Sequence, residues 1–282
     1  MTRKATSPGG VMLTITGLCA ALAGCLCLLA CSGPARRPRK APEGVPALAV
    51  MTFNVNFGLA GDSGTLAAVR GAGADAVFLQ ETTPLWESAI RRELSDAYPY
   101  MEFRHCRGAG GMAVLSRRPF QVRDYVPSPS GWFPAMRVVL QSPLGPVQAL
   151  QVHLHPPVSE RGSVASGYLT TGPVRKREIE AFLERLEPGM PTLVLGDFNE
   201  NYDGQAAGVL YERGIQSVLR EYEPSARTWR WRTGVGTLRK TLDHIFYGPG
   251  LEPLEARVID RGASDHLPVL AVFGPAGVQT KN

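Results

Sequence analysis

The chain is poor in the features that would announce most enzyme chemistries. Four of its five cysteines, Cys19, Cys25, Cys27 and Cys31, crowd one apolar stretch near the N-terminus, which leaves only Cys106 in the body. That excludes an internal disulfide framework and a cysteine-held metal cluster there, and Cys106 reads as a half-buried apolar filler. No serine or cysteine motif with a paired base is present, so a covalent hydrolase of that kind has nothing to rest on. No repeat recurs at a solenoid period. An excess of charge is missing as well. The formal net charge is +5, but residues 1–45 carry six basic side chains and one acid, so residues 46–282 balance at 24 of each sign. A body without a basic footprint argues against binding that rests mainly on phosphate neutralisation.

What is present begins with an address. Arg3 and Lys4 precede a nearly unbroken apolar run from Val11 to Ala30, the pattern of a secretory signal. Leu22-Ala23-Gly24-Cys25 resembles the lipobox of bacterial lipoproteins, and Leu28-Leu29-Ala30-Cys31 is a looser match. Cys31 is preferred, because Ser32-Gly33-Pro34 turns polar at once, whereas processing at Cys25 would leave Leu26–Ala30 on the mature end. An uncleaved anchor is the alternative, since such a run just spans a bilayer. The expected organisation is a signal or anchor over 1–31, an exposed Pro/Arg-rich tether over 32–46, and one catalytic domain over 47–282, exported and held at a membrane.

The body opens with a buried strand over Ala47–Val55, a helix over Ser63–Ala72, a strand over Asp75–Gln80 that delivers Glu81, and a helix from Thr83-Pro84 to about Leu94. Thr83 is an N-cap with proline at the first helical position, and Leu85, Ala89, Ile90 and Leu94 are expected to face the core. Short strands follow over Tyr98–His105, Gly111–Ser116, Gln121–Val126, Ala135–Gln141 and Val147–Val152, the last running into His153. Residues 155–173, rich in Pro, Gly and Ser, form the long loop and a candidate substrate rim. Val174–Leu186 reads as a helix with Ile179, Phe182, Leu183 and Leu186 inward, and Gly204–Arg213 as another. Strands over Thr228–Arg232, Thr241–Tyr247 and Leu267–Phe273 close the chain, with Ala256–Asp260 a fourth.

Between the two later helices lies the stretch Pro191–Glu200, PTLVLGDFNE. Its β-branched and leucine run is a buried strand ended by Gly196. Asp197 and Asn199, two residues apart, fall on one face of an extended chain. A carboxylate beside a neutral amide suits a site that orients water and holds an anionic oxygen.

Phe53-Asn54, Gln80-Glu81, His153-Leu154, Gly196-Asp197-Phe198-Asn199, Leu242-Asp243 and Ser264-Asp265-His266, together with Gly111–Pro119, resemble the ordered motifs of the endonuclease/exonuclease/phosphatase superfamily. The resemblance spans about residues 47–273. It implies an α/β (α+β) fold of two packed mixed β-sheets flanked by helices, the four-layer deoxyribonuclease I-like sandwich. It implies a Mg²⁺ (or Mn²⁺) site with Glu81 as main ligand, Asn54 beside it and Asp265 completing it; carboxylate oxygens suit such hard cations. His266 is implied to pair with Asp243 and to act on the attacking water or stabilise the phosphorane. Asp197 would orient or deprotonate the water, Asn199 bind a phosphoryl oxygen, and His153 contact the phosphate or serve as general acid. His155, two residues on, lies on the same side of a strand, so either histidine is a candidate for the phosphate. His244 is assigned to packing.

The expected activity is hydrolysis of a phosphodiester, in nucleic acid or a phospholipid headgroup, by a monomer. A phosphomonoesterase is the alternative, and an inactive scaffold the reading from another class. Arg227–Lys240 is the one dense basic run of the body. Its alternation places Arg230 and Arg232 opposite Trp229 and Trp231, and an edge strand with tryptophans in the core is favoured over a phosphate-facing rim. Trp132-Phe133 is an exposed aromatic pair suited to a base or a membrane.

Overall fold

The structure is a computed structural model that describes residues 35–158, 167, 170–234 and 236–277. The apolar N-terminal run, both lipobox-like sequences and most of the long loop lie outside the described residues. Among those described, no helix is long and apolar enough to cross a membrane.

Two six-stranded mixed sheets form the body. The first contains β1 (Leu48–Asn54), β2 (Ala76–Gln80), β3 (Tyr100–Arg104), β4 (Met112–Ser116), β13 (Leu251–Val258) and β14 (Val269–Pro275), in the order β13-β14-β1-β2-β4-β3. The second contains β5 (Phe120–Val126), β6 (Ala135–Ser142), β7 (Gly145–His153), β8 (Thr192–Asp197), β9 (Gln216–Ser217) and β12 (Asp243–Tyr247), in the order β5-β6-β7-β8-β12-β9. A separate two-stranded ribbon is made by β10 (Trp229–Thr233) and β11 (Gly236–Lys240). The helices are α1 (Ser63–Gly71), α2 (Pro84–Leu94), α3 (Gly172–Leu183), α4 (Gln205–Glu212) and the short α5 (Val218–Tyr222).

The central strands are apolar on both faces because both faces are covered. Alternate residues of β1 and β8 show the division. Val50, Leu193 and Leu195 join Phe78, Val138, Ile245 and Phe273 in a core between the sheets. Met51 and Phe53 pack outward with Trp86 and Ile90 of α2, while Val194 packs outward with Phe182 of α3 and Leu210 of α4. The result is the helix–sheet–sheet–helix sandwich expected from the resemblance.

Several local expectations need correction. Leu85 is 73% exposed, and Trp86, fully buried, takes the core position at the start of α2. The helix turns about 100° per residue, so the spacing Trp86–Ala89–Ile90–Leu94 keeps one face inward and leaves Leu85 outside it. Helix α3 ends at Leu183, so Leu186 packs on the core from the following turn. Strand β13 begins at Leu251, five residues before the expected start, because it is an edge strand paired along β14 through an irregularity at Pro253–Glu255. An edge tolerates the missing N–H of Pro253. The described part of the segment expected as an exposed tether is largely exposed, and it touches the body at two backbone points, where Arg36 N donates to Glu221 O and Arg39 N to Leu254 O. The tryptophans of β10 are not in the core: Trp231 is 49% exposed, and β11 is exposed throughout. The ribbon joins neither large sheet; its start is half-buried, where Trp229 and Arg230 bond Asp265, and β11 stands in solvent.

Candidate active site

The inter-sheet face changes from apolar to polar along the strands. In β1 the inward positions run Val50, Thr52, Asn54, and in β8 they run Leu193, Leu195, Asp197. Thr52 and Gln80 bond each other at mid-face, and Gln151 Nε2 reaches across to Leu79 O at 2.6 Å. Beyond them stand the candidate residues. Register sets three in one row: His153 is opposite Asp197 in the parallel β7–β8 pair, and Asp243 is opposite Asp197 in the antiparallel β8–β12 pair. Opposed positions on neighbouring strands hold their side chains on one face, within contact range. The facing sheet answers with Asn54, whose Nδ2 donates to Asp197 Oδ2 (3.1 Å) and to Glu81 Oε1 (2.9 Å).

The row has little room. Gly196 has φ +143°, and a Cβ there would lie 1.9 Å from the carbonyl oxygen of Val152. Only glycine lets β8 pass β7 at this point. Gly111 does the same for Glu81: a Cβ on it would lie 1.8 Å from Thr82 O, the residue following that acid. Among the described residues, three that are not glycine have positive φ, namely Asn56 (61°), Glu81 (63°) and Asn199 (52°). All three belong to this site, where backbone outliers tend to gather when the surroundings hold them in place.

His266 Nδ1 lies 2.9 Å from Asp243 Oδ2, and His266 Nε2 lies 3.7 Å from Asp197 Oδ2. His153 Nε2 approaches the same Asp197 oxygen at 3.5 Å. Asp197 Oδ1 accepts the N–H of Asn199 at 2.8 Å. All of these side chains are buried. Burial by itself would drive the His266 imidazolium to lose its proton, but the carboxylates of Asp243 and Asp197 outweigh it and raise the pKa to about 10. For His153 burial outweighs the pull of Asp197, which is its one close carboxylate, and lowers the pKa to about 4, so it is neutral at pH 7. Burial raises Asp197, with His266 pulling in the opposite direction. The ligand atoms of Asp197, Asp243 and His266 all lie within 4.8 Å of one another, close enough to share a cation.

The two acids expected to hold a metal meet one four-residue segment. Glu81 Oε1 accepts from Asn54 and Oε2 from the N–H of Phe57 (3.1 Å), while Asp265 Oδ1 accepts from Asn56 Nδ2 (2.9 Å). Each carboxylate oxygen has a second lone pair left over. Asn54 Oδ1 accepts the N–H of Asn56, so it too keeps a lone pair. These are hard oxygen donors, the two acids on a partly exposed rim and Asn54 buried behind them, and they fit Mg²⁺.

The two histidines left open are separated by the structure. His153 faces Asp197, whereas His155 Nδ1 donates to Pro156 O (2.7 Å) and its ring packs against Trp132. His244 is fully buried, with Nε2 2.9 Å from Glu200 O and its ring between Phe198 and Phe246, a packing role. Asn199 Nδ2 donates to Leu154 O, so one N–H of its amide is spent on the fold. Asn56, which the sequence did not single out, also belongs here, as do Trp229, expected in the core, and Phe133, expected as an exposed aromatic. Asn56 and Trp229, through Nε1 at 2.9 Å, hold the two oxygens of Asp265. Phe133 stacks on His153 with centroids 4.1 Å apart. No composition or spacing signal marks these contacts, because each is made to a residue far away in sequence.

The family described as "Endonuclease/Exonuclease/phosphatase family" matches residues 51–266. No curated protein matches the chain. Among solved structures, an endonuclease/exonuclease/phosphatase from Beutenbergia cavernae DSM 12333 is similar, with TM-score 0.65, 21% identity, and 82% of this chain and 72% of that one covered. D. rerio TDP2 complexed with single strand DNA product gives 0.62 and 18%, covering 80% and 98%. An AP endonuclease from Archaeoglobus fulgidus gives 0.59 and 17%, covering 80% and 99%. These likenesses show the fold, and the family match spans most of the chain, including every candidate residue named above. The chain belongs to the endonuclease/exonuclease/phosphatase family of phosphoric-ester hydrolases.

Proposed function

We propose that the protein is a divalent-metal-dependent phosphodiesterase that hydrolyses its substrate by direct attack of water. The observation that carries this reading is the buried row His153–Asp197–Asp243 with His266 bridging Asp197 and Asp243. Glu81, Asp265 and Asn54 would hold Mg²⁺ or Mn²⁺, which supplies electrostatic stabilisation of charge on the phosphoryl and leaving oxygens.

The chain's own residues do the rest. Asp197 takes water by its Oδ2, the oxygen that Asn54, His153 and His266 surround, and aligns it for in-line attack. Asp243 fixes the His266 tautomer, holding the proton on Nδ1 and supporting the imidazolium. His266 thereby presents a positive N–H where negative charge builds on phosphorus-bound oxygen. His153, neutral and braced by Phe133, donates a hydrogen bond to a phosphoryl oxygen, and Asn199 offers its remaining N–H to another.

An inactive scaffold is disfavoured, since every acid and histidine of the motif set is present and converges. A phosphomonoesterase would use the same centre with a different rim. The N-terminal segment would export the domain and anchor it at a membrane through Cys31 or Cys25. An assay of a generic phosphodiester, DNA, RNA, sphingomyelin and phosphoinositides with Mg²⁺ or Mn²⁺, with Asp197→Ala as control, tests the reading. Diester cleavage lost in the control supports it. Release of inorganic phosphate alone would select the monoesterase, and no turnover with metal binding intact would select the scaffold.

A further inference from the structure

A cavity of about 380 Å³ opens beside the site, lined chiefly by Arg104, Cys106, Tyr125, Pro127, Trp132 and Pro134. One wall is Trp132, and Phe133 packs edge-on behind it with ring centroids 5.6 Å apart. Trp132 packs against His155 with centroids 4.6 Å apart, while Phe133 stacks on His153. A group bound against Trp132 is thus one aromatic layer away from the histidine that faces Asp197.

The wall is built in advance. Glu178 of α3 is fully buried, a costly place for a carboxylate unless its oxygens are satisfied. It accepts the hydroxyl of Ser128 (2.6 Å) and that of Ser130 on one oxygen, and the N–H of His155 (2.7 Å) on the other. These three bonds fix the loop before β6 and the end of β7 to one anchor, so Trp132 is held in place although it is 47% exposed. A large half-exposed indole held rigidly over a cavity is a stacking platform.

The charge decides what stacks there. Aromatic walls by themselves would suit a quaternary ammonium headgroup. Here the Arg104 guanidinium already lies over the Tyr125 ring at 5.0 Å, and Arg104 is the only charged residue among the described lining residues. Glu102, which accepts the Tyr125 hydroxyl, does not line the cavity. A cation would meet like charge. A planar, uncharged ring attached to a phosphate meets an indole face, two prolines and a guanidinium.

We propose that this cavity is a nucleobase subsite, which takes the base of a nucleotide whose phosphate lies at His153. The proposal rests on the phosphodiesterase reading for the phosphate but has its own test, because binding needs neither metal nor turnover. Cys106 in the cavity is the reporter. In the full chain with EDTA, the rate of Cys106 alkylation by N-ethylmaleimide is followed by peptide mass spectrometry, with AMP, ribose 5-phosphate, phosphocholine or a short single-stranded oligonucleotide at millimolar concentration. AMP is expected to slow alkylation, and ribose 5-phosphate, which lacks the ring, to need at least about fivefold more ligand for the same protection, the lower end of a base–aromatic stack. Protection by the oligonucleotide identifies a polymer end as the source, and protection by AMP alone a free nucleotide. Trp132→Ala should abolish the protection and Trp132→Phe should keep most of it, with calorimetric titration of AMP as the parallel measurement. Protection by phosphocholine rather than AMP, equal protection in Trp132→Ala, or no protection and no binding heat would each overturn the subsite. Hydrolysis of bis(p-nitrophenyl) phosphate with Mg²⁺ reports on the phosphodiesterase reading separately: turnover without protection sinks only the subsite, and protection without turnover sinks only the activity.

Discussion

His266 Nδ1 stands 2.9 Å from Asp243 Oδ2 while its Nε2 looks toward Asp197, so one ring joins two acids that are neighbours across β8 and β12. Asp243→Asn removes the charge that keeps the proton on Nδ1 and supports the imidazolium. By the triad precedent, kcat should fall about 10⁴-fold with little change in KM. A comparable loss in KM instead would mean that Asp243 shapes binding rather than the reacting state. Steady-state kinetics on a generic diester makes the distinction.

Glu81 is held by Phe57 N–H and Asn54 on the partly exposed side of the site. Glu81→Gln keeps its size and loses its charge. The Mg²⁺ concentration for half-maximal activity should rise by at least about 10- to 100-fold, the scale seen even for outer partners of a metal site. Circular dichroism should be unchanged. An unaltered metal requirement would remove Glu81 from the ligand set.

Gly196 and Gly208 should respond to alanine in opposite directions. At Gly196 the new Cβ meets the Val152 backbone at 1.9 Å, and neither strand can yield without parting the row. Gly196→Ala should cost about 3 kcal/mol or more. At Gly208, inside α4, a Cβ meets nothing within 4 Å, so Gly208→Ala should stabilise by roughly 0.4–1 kcal/mol. Urea unfolding reads both.

His244 gives the stability a pH dependence. Burial lowers its pKa to about 4, whereas in the unfolded chain it titrates near the ordinary histidine value of 6.5. Between these values the unfolded chain binds the extra proton, so stability is complete above pH 6.5 and declines as pH falls toward 4. His244→Gln should flatten the slope of unfolding free energy against pH in that window by up to one proton. An unchanged slope would show that His244 is already protonated in the fold.

Much of this architecture was legible in the chain. Buried strands announced themselves as β-branched runs, and Thr83-Pro84 marks a helix start by the chemistry of unsatisfied N–H groups: Thr83 accepts from Trp86 N. Leu85 misled because a hydrophobic residue at a helix start gives no sign of which side of the turn it faces. The ribbon misled for a related reason: alternation in Thr228–Arg232 defines two faces but not which of them, if either, another layer covers.

The order of acids, amides and histidines along the strands was set by the sequence alone, since a period of two fixes which residues share a face and glycine marks where chains pass closely. Which of those faces meet was decided only by tertiary packing. That Asn54 of one sheet reaches Asp197 of the other, that Asn56 and Trp229 grip Asp265, and that Phe133 braces His153 depend on contacts between residues 20 to more than 200 positions apart. Local propensity carries no information about such pairs; the burial of two sheets against each other does.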